Sequence, residues 1–280
     1  MISVELRYRR SAQALCQCVP EVFRFPGGEI QVRLAIDPEA LAAIRIHALL
    51  RSADDVMALL LLTDALRQQS GEQTPIDLDM PYIPYARQDR VCNPGEALSI
   101  KVFCSLINAQ GYRTVTITDP HSDVAPALLD RVRIRDVSVF VRQVLEDPAF
   151  KSGVTLLAPD AGALRRVQTL ARQLGIDQVV SARKQRNPRT GRITSLELTA
   201  PLLPTCPVLV VDDICDGGRT FLELAAAMPR IPQGGRFLYI THAIFSQGPA
   251  ALLAAYDKVF TPYDWTNSRV PGLVTLSQGA

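Results

Sequence analysis

The sequence carries almost no excess charge: over 280 residues, 30 Lys and Arg meet 28 Asp and Glu, a formal net charge of +2. Without a basic surplus there is no general electrostatic drive toward nucleic acid or anionic membrane, and neither partner is expected. Long apolar runs are missing as well. The most apolar stretch, residues 56–62, ends at Thr63 and Asp64, far short of the roughly 20 residues that span a bilayer. Residues 1–10 hold no apolar segment closing on small residues, so no secretory signal is read there and a cytoplasmic location is expected. Cysteine is sparse: six, at positions 16, 18, 92, 104, 206 and 215, with no paired C-x-x-C near histidines. Neither a disulfide framework nor a zinc site is indicated, and the thiols are expected to be reduced and structural.

What the chain does have is apolar content, 48% of its residues, enough for one large core or two medium ones. Short β-branched runs alternate with helix-period segments. Residues 43–50 read as a strand, 54–68 as a helix, 80–84 as a short apolar run between prolines, 98–109 as a helix closed by Gly111, and 115–118 as a buried strand. The later half repeats the rhythm with strands at 154–158, 178–183, 208–211 and 236–243 and helices at 163–174 and 220–228. Continuous apolar strands such as Val208-Leu-Val-Val211 suit a parallel sheet covered on both faces. The expected fold is α/β, two tandem doubly wound domains with mostly parallel sheets, residues 1–140 and 141–280. Residues 146–153, with Pro148 and Gly153, are a candidate joint, and a tail of about 15 residues is expected to turn back onto the first domain.

In such sheets the chemistry belongs at the carboxyl ends of the strands. The run Val208-Leu-Val-Val-Asp212-Asp213-Ile-Cys-Asp216-Gly217-Gly218-Arg219-Thr220 is the most loaded of these places. Two glycines let backbone amides turn inward, and the following helix N-terminus favours an anion, so residues 218–220 form a candidate phosphate cradle. Asp212 and Asp213 would repel a phosphate unless the ligand also brings hydroxyl donors or a bridging Mg2+; a sugar phosphate with a cis-diol supplies the donors. Four further stretches are candidates. Arg87 and Gln88, in Tyr82-Ile-Pro-Tyr-Ala-Arg-Gln-Asp-Arg90, offer donors to phosphate oxygens. His121, in Asp119-Pro-His-Ser-Asp123, and Asp160, in Pro159-Asp-Ala-Gly162, are candidate metal ligands, although a structural histidine and a helix N-cap explain them about as well. Residues 183–192 concentrate five cations with a Pro and a Gly, either a solvated loop or a flap able to close over phosphates.

Together these stretches resemble the ribose-phosphate diphosphokinase family, with similar segments from about Phe23 to Ser277. Residues 212–220 are similar to the pentose-phosphate loop of type I phosphoribosyltransferases, except that Gly217 replaces a hydroxyl residue and Arg219 replaces a glycine. The resemblance implies two phosphoribosyltransferase-like domains and ribose 5-phosphate bound by Arg186, Asp212, Asp213, Asp216, Gly217, Gly218, Arg219 and Thr220. It implies ATP bound by Arg87 and Gln88 together with Phe25, Gly27 and Glu29, the last three in a stretch similar to the family's Phe-Ser-Asp-Gly-Glu element. Gly27 there replaces an Asp or Asn. Lys184 and Arg186 resemble the family's catalytic flexible loop, and His121 and Asp160 its Mg2+ ligands, with Pro120 in place of leucine and Ala163 in place of a second glycine. The implied reaction moves the β,γ-diphosphoryl group of ATP to the anomeric hydroxyl of ribose 5-phosphate, giving phosphoribosyl diphosphate and AMP. The implied assembly is a homo-oligomer, dimer or hexamer, with its ATP site at a subunit interface. A type I phosphoribosyltransferase and a catalytically silent synthetase-associated subunit stay open as alternatives.

Overall fold

The alternation of apolar runs and helix-period segments folds into two units, Met1–Arg135 and Asp136–Ala280. The structure is a computed structural model and describes residues 1–8, 15–38, 41–186, 193–203, 205–228 and 234–277.

The first unit contains β1 (Ile2–Tyr8), β2 (Leu15–Cys18), β3 (Glu21–Arg24), β4 (Ile30–Arg33), β5 (Leu41–Ala48), α1 (Ala53–Ser70), β6 (Ile76–Asp79), α2 (Ser99–Ala109), β7 (Thr114–Thr118), α3 (Val124–Leu128) and β8 (Val132–Arg135). The sheet runs β2-β1-β5-β6-β7-β8. Strands β5 to β8 are parallel, while β1 lies antiparallel to β5 and β2 antiparallel to β1. Ser52 caps α1 by accepting from the Asp55 amide, and Gly71 ends it with a positive φ. Leu59, Leu62 and Leu66 of α1 and Ile100, Phe103 and Ile107 of α2 share one core with Val4, Ile44, Ile46, Leu78, Val115 and Ile117.

These strands alternate. Strand β6 reads Ile-Asp-Leu-Asp, so successive side chains go to opposite faces and only one face can be buried as an apolar surface. The other face carries Arg45, His47, Asp77, Asp79, Thr116, Arg133 and Arg135, and among the described residues no helix of this unit joins it. The expected cover of helices on both faces is therefore not found in the first unit.

It is found in the second. This unit holds α4 (Ser138–Leu145), a 3-10 turn (Pro148–Phe150), β9 (Thr155–Ala158), α5 (Ala161–Leu174), β10 (Val179–Arg186), β11 (Ile193–Leu198), β12 (Val208–Cys215), α6 (Arg219–Ala227), β13 (Arg236–Ala243), α7 (Ala250–Ala255), β14 (Lys258–Thr261), β15 (Tyr263–Asp264) and β16 (Leu273–Thr275). The order is β11-β10-β9-β12-β13-β14-β16, with β15 beside β13 and only the β10–β11 pair antiparallel. Strand β9 is buried at every position. Helices α4 and α5 cover one face through Phe140, Val144, Val167 and Leu170, and α6 and α7 the other through Phe221, Leu224 and Leu252.

Phe140, Val141, Val144 and Phe150 belong to the second core, so residues 146–153 are part of that unit and the division falls at residue 135. The tail adds to the second unit's own sheet, Val259 to Thr261 pairing with Leu273 to Thr275, and the Ser277 carbonyl accepts from Gln143 Nε2 at 2.9 Å. Ladder bonds that end a sheet satisfy the tail's backbone there. Elsewhere the strands start or stop within a few residues of expectation, and β12 runs on to Cys215.

Gly234 precedes β13, and a Cβ built on it would stand 2.6 Å from the carbonyl carbon and oxygen of Cys206. Backbone cannot yield as a side chain can, so Gly234→Ala is expected to cost about 1–3 kcal/mol and to lower the Tm by about 2–4 °C per kcal/mol in a thermal melt. An unchanged Tm would contradict the close approach.

Candidate active site

Strand β12 delivers two adjacent carboxylates near its carboxyl end. Both are shielded: Asp213 is buried and Asp212 nearly so. Arg166, in the second turn of α5, reaches both, its Nη2 contacting Asp212 Oδ1 and standing 3.2 Å from Asp213 Oδ1. Burial and the neighbouring Asp213 charge push the Asp212 carboxyl well above the usual carboxylate range, with Arg166 opposing them. The pair is thus held in place at an electrostatic cost that a ligand donating hydroxyl hydrogens would relieve.

The turn after β12 has the geometry of an anion cradle. Gly218 takes φ +78° and ψ −4° as the N-cap of α6 and has no capping side chain. Its carbonyl accepts from Phe221 and Leu222 at 3.0 and 3.1 Å, and the first amides of an α-helix have no intrahelical acceptor. Arg219 keeps an ordinary φ, since the positive value falls on Gly218. Its side chain is exposed and donates to Glu223 Oε1 at 2.7 Å, so it lies along the helix surface and does not crowd the turn. Gly217 is exposed; a Cβ there would meet only Gln247 Cγ at 3.8 Å and Ser246 Oγ at 4.0 Å, so a side chain fits. Asp216 and Thr220 are half-buried beside it.

Asp160 ends the loop after β9 and caps α5, accepting from the Ala163 amide at 3.1 Å. A Cβ on Gly162 would stand 3.2 Å from Asp160 Oδ1. Lys184 and Arg186 fall on β10, their backbones opposite Leu196 and Ile193 of β11; the rest of the basic run, residues 187–192, lies outside the described residues.

In the first unit, Arg87 and Gln88 are exposed in the loop after β6, held by Ala86 N–H to Ile83 O at 3.2 Å and Gln88 N–H to Tyr85 O at 2.8 Å. The Tyr85 ring rests 5.9 Å from that of Phe103. His121 is exposed after β7. Both loops contain a non-glycine residue at positive φ, Tyr85 at 65° and Asp119 at 46°, as does the loop after β13, with Phe245 at 49°. Such conformations cost of order 1–3 kcal/mol and gather at functional loops. Phe25, Gly27 and Glu29 sit at the exposed tip of the β3–β4 hairpin, where Phe25 N–H donates to Glu29 O at 2.8 Å and Phe23 and Phe25 meet edge to face at 5.4 Å. Nothing lies within 4 Å of a Cβ on Gly27.

Among the described residues no three His, Cys, Asp or Glu side chains gather as a metal-binding group. Arg166 carried no role in the sequence reading. The signal available was its place six residues after the N-cap Asp160, which sets it beside the end of the neighbouring strand.

Comparison with known proteins agrees with this architecture. A profile of the N-terminal domain of ribose phosphate pyrophosphokinase matches residues 11–111, and a phosphoribosyl transferase domain profile matches residues 127–231. Two phosphoribosyltransferase-type domains in tandem define the class. Ribose-phosphate pyrophosphokinase of Campylobacter jejuni is 28% identical over 80% of this chain and 72% of its own. The Pyrococcus furiosus enzyme of that name is 29% identical over 81% and 79%. The crystal structure of phosphoribosylpyrophosphate synthetase from Mycobacterium smegmatis shares the fold, with a TM-score of 0.74 at 21% identity over 92% of this chain and 86% of that one. The chain belongs to the ribose-phosphate pyrophosphokinase family of enzymes.

The raised carboxyl of Asp212 has a consequence for stability. A group whose folded pKa lies above its unfolded value favours folding below the unfolded pKa and loses that contribution as pH rises through the folded one. Asp212→Asn removes the charge, so its Tm should equal the parent's near pH 4 and exceed it near pH 8 by about 2–4 °C for each kcal/mol relieved. A lower Tm for the variant at pH 8 would contradict the account.

Proposed function

We propose that this chain transfers the β,γ-diphosphoryl group of ATP to the anomeric hydroxyl of ribose 5-phosphate, releasing phosphoribosyl diphosphate and AMP. The observation that carries this reading is the sequence of a shielded carboxylate pair and a glycine-opened helix N-terminus within one turn of β12. Asp212 and Asp213 accept hydrogens from the ribose hydroxyls, and the amides of residues 216–220 take the 5-phosphate, with Thr220 adding a hydroxyl. Arg166 keeps the two carboxylates together. The anomeric oxygen is left free to attack the β-phosphorus.

Little covalent chemistry is then required of the protein, and positioning and charge neutralisation supply the rate. Arg87 and Gln88 hold the ATP phosphates and Phe25 and Glu29 the base, with Gly27 leaving open space at that tip. Lys184 stabilises charge on the transferring group, and Arg186 binds both that group and the pentose phosphate. His121 in the first unit and Asp160 in the second would each serve as a protein ligand to Mg2+, which would supply neutralisation of phosphate charge. The exposed β3–β4 hairpin suits an ATP site completed by a second copy of the chain, as a dimer or a hexamer. With six free thiols, the setting we propose is the cytoplasm.

The deciding experiment incubates the purified protein with Mg2+, ribose 5-phosphate and each nucleoside triphosphate and identifies products by chromatography. Nucleoside monophosphate and phosphoribosyl diphosphate in equal amounts are expected with ATP. No product with any triphosphate would overturn the assignment in favour of a silent subunit, and turnover requiring a free base would favour a phosphoribosyltransferase.

Lys184→Ala should lower kcat by about 10²–10³-fold with an unchanged circular dichroism spectrum and Tm; a near-normal rate would refute its role. Gly217→Thr restores a hydroxyl at a position with room for it, so the KM for ribose 5-phosphate should fall about threefold to tenfold, the worth of one hydrogen bond. A KM that rises would show that the turn does not receive the phosphate.

A further inference from the structure

The six cysteines have no part in the proposed reaction, and two of them stand together. Cys16 and Cys18 lie on β2, the edge strand of the first unit's sheet, and their Sγ atoms are 3.6 Å apart. The other four are not paired among the described residues: Cys104, Cys206 and Cys215 are buried, and Cys92 is exposed in the loop after β6. Burial pushes the Cys104 thiol up to about 11 and the Cys215 thiol up to about 12, which keeps both protonated and inert.

The strand dictates the pairing. Residues two apart on a strand send their side chains to one face, and the register sets Cys16 opposite Leu6 and Cys18 opposite Val4. Leu6 and Val4 belong to the first core, against which Cys18 also packs. The thiols therefore line the rim of that core, Cys16 exposed and Cys18 half-buried. One sulfur is open to a reagent in solution, and the other waits beside it. Burial and the hydrogen bond with Cys16 raise the Cys18 thiol, so the inner sulfur is held protonated until it is used.

On an extended strand the two Cα atoms lie about 6.4–6.8 Å apart, at the outer end of the roughly 4.4–6.8 Å that a disulfide spans. The strand has a neighbour on one side only, so it can pucker without breaking a second ladder. A bridge can close there at the limit of its geometry, and bridges of that kind are labile rather than structural.

We infer that Cys16 and Cys18 are a reversible dithiol couple that exchanges with a small-molecule disulfide of the glutathione type. The Cys16 thiolate attacks one sulfur of the reagent, whose S–S bond breaks; one half leaves as a thiolate and the other stays on Cys16 as a mixed disulfide. Cys18 then gives up its proton and attacks the Cys16 sulfur, expelling the second half as a thiolate and closing an intrachain bridge. Two protein thiols are oxidised, one reagent disulfide is reduced, and the two protons end on the released thiols. Against a reducing pool the pair rests open and closes only under oxidative load, the pattern of redox-sensing disulfides in reducing compartments. The couple uses none of the residues assigned to the reaction.

The test equilibrates the reduced full chain at neutral pH with mixtures of reduced and oxidised glutathione, traps free thiols by alkylation and maps each cysteine by mass spectrometry. Cys16 and Cys18 should lose alkylation together, in one peptide that carries no glutathione, and regain it when reduced glutathione is in excess. Cys92 is the internal standard for a solitary exposed thiol and should carry glutathione instead. In Cys18→Ser the adduct on Cys16 should persist where in the parent it is transient; if that variant does not fold, the parent's map decides alone. Three results would each overturn the proposal: Cys16 and Cys18 both carrying glutathione as Cys92 does, both staying alkylated under conditions that modify Cys92, or a bridge that joins two chains.

Discussion

Two carboxylates on consecutive residues of one buried strand are a costly arrangement, and the candidate active site is organised around meeting that cost. Asp212 and Asp213 stand at the end of a strand whose first four residues are buried apolar side chains, so water cannot screen them as it would on a surface loop. Arg166 answers both charges with one guanidinium, and the Asp212 carboxyl still sits well above its usual range. A ligand that brings hydroxyl donors to these oxygens and an anion to the helix N-terminus a few residues later would complete both halves at once, which is the ground on which we propose a pentose phosphate.

The two units solve the same packing problem differently, and the strand sequences say why. In the second unit β9, β12 and β13 are nearly continuous apolar runs, so both sheet faces must be buried and helices lie on each. In the first unit β6 alternates Ile, Asp, Leu, Asp, and the charged face it shares with Arg45, Arg133 and Arg135 has no use for an apolar helix. A network of Glu5, His47, Asp79 and Arg135 across the strands stands in for hydrophobic cover. His47 is held above its ordinary pKa chiefly by its hydrogen bond to Asp79.

Much of this was legible in the sequence because it rests on local patterns. The α/β rhythm, the strand at residues 236–243 and the loaded turn after Val211 are written in consecutive residues. Other features required the third dimension. Strand β12 continues through Asp212 and Asp213 because β13 runs beside it as far as Ala243, a constraint that carboxylates in a sequence do not advertise. Arg166 finds Asp212 across 46 residues of chain. Asp160 caps α5, and capping leaves its second oxygen open to the metal reading, which the residue type alone does not separate from a cap. The one-sided first sheet is written in the alternation of strands such as β6, Ile-Asp-Leu-Asp, and not in the β-α rhythm itself.

The central claim is that the acid-rich turn grips a pentose by its hydroxyls. Its most direct measurement is calorimetric binding of ribose 5-phosphate against 2-deoxyribose 5-phosphate, which share the phosphate and differ by one hydroxyl. If Asp212 and Asp213 accept from the ribose, the deoxy sugar should bind about tenfold or more weakly, the worth of a hydrogen bond to a charged group. Equal affinities would mean that the carboxylates do not read the sugar, and the account of this turn would fail.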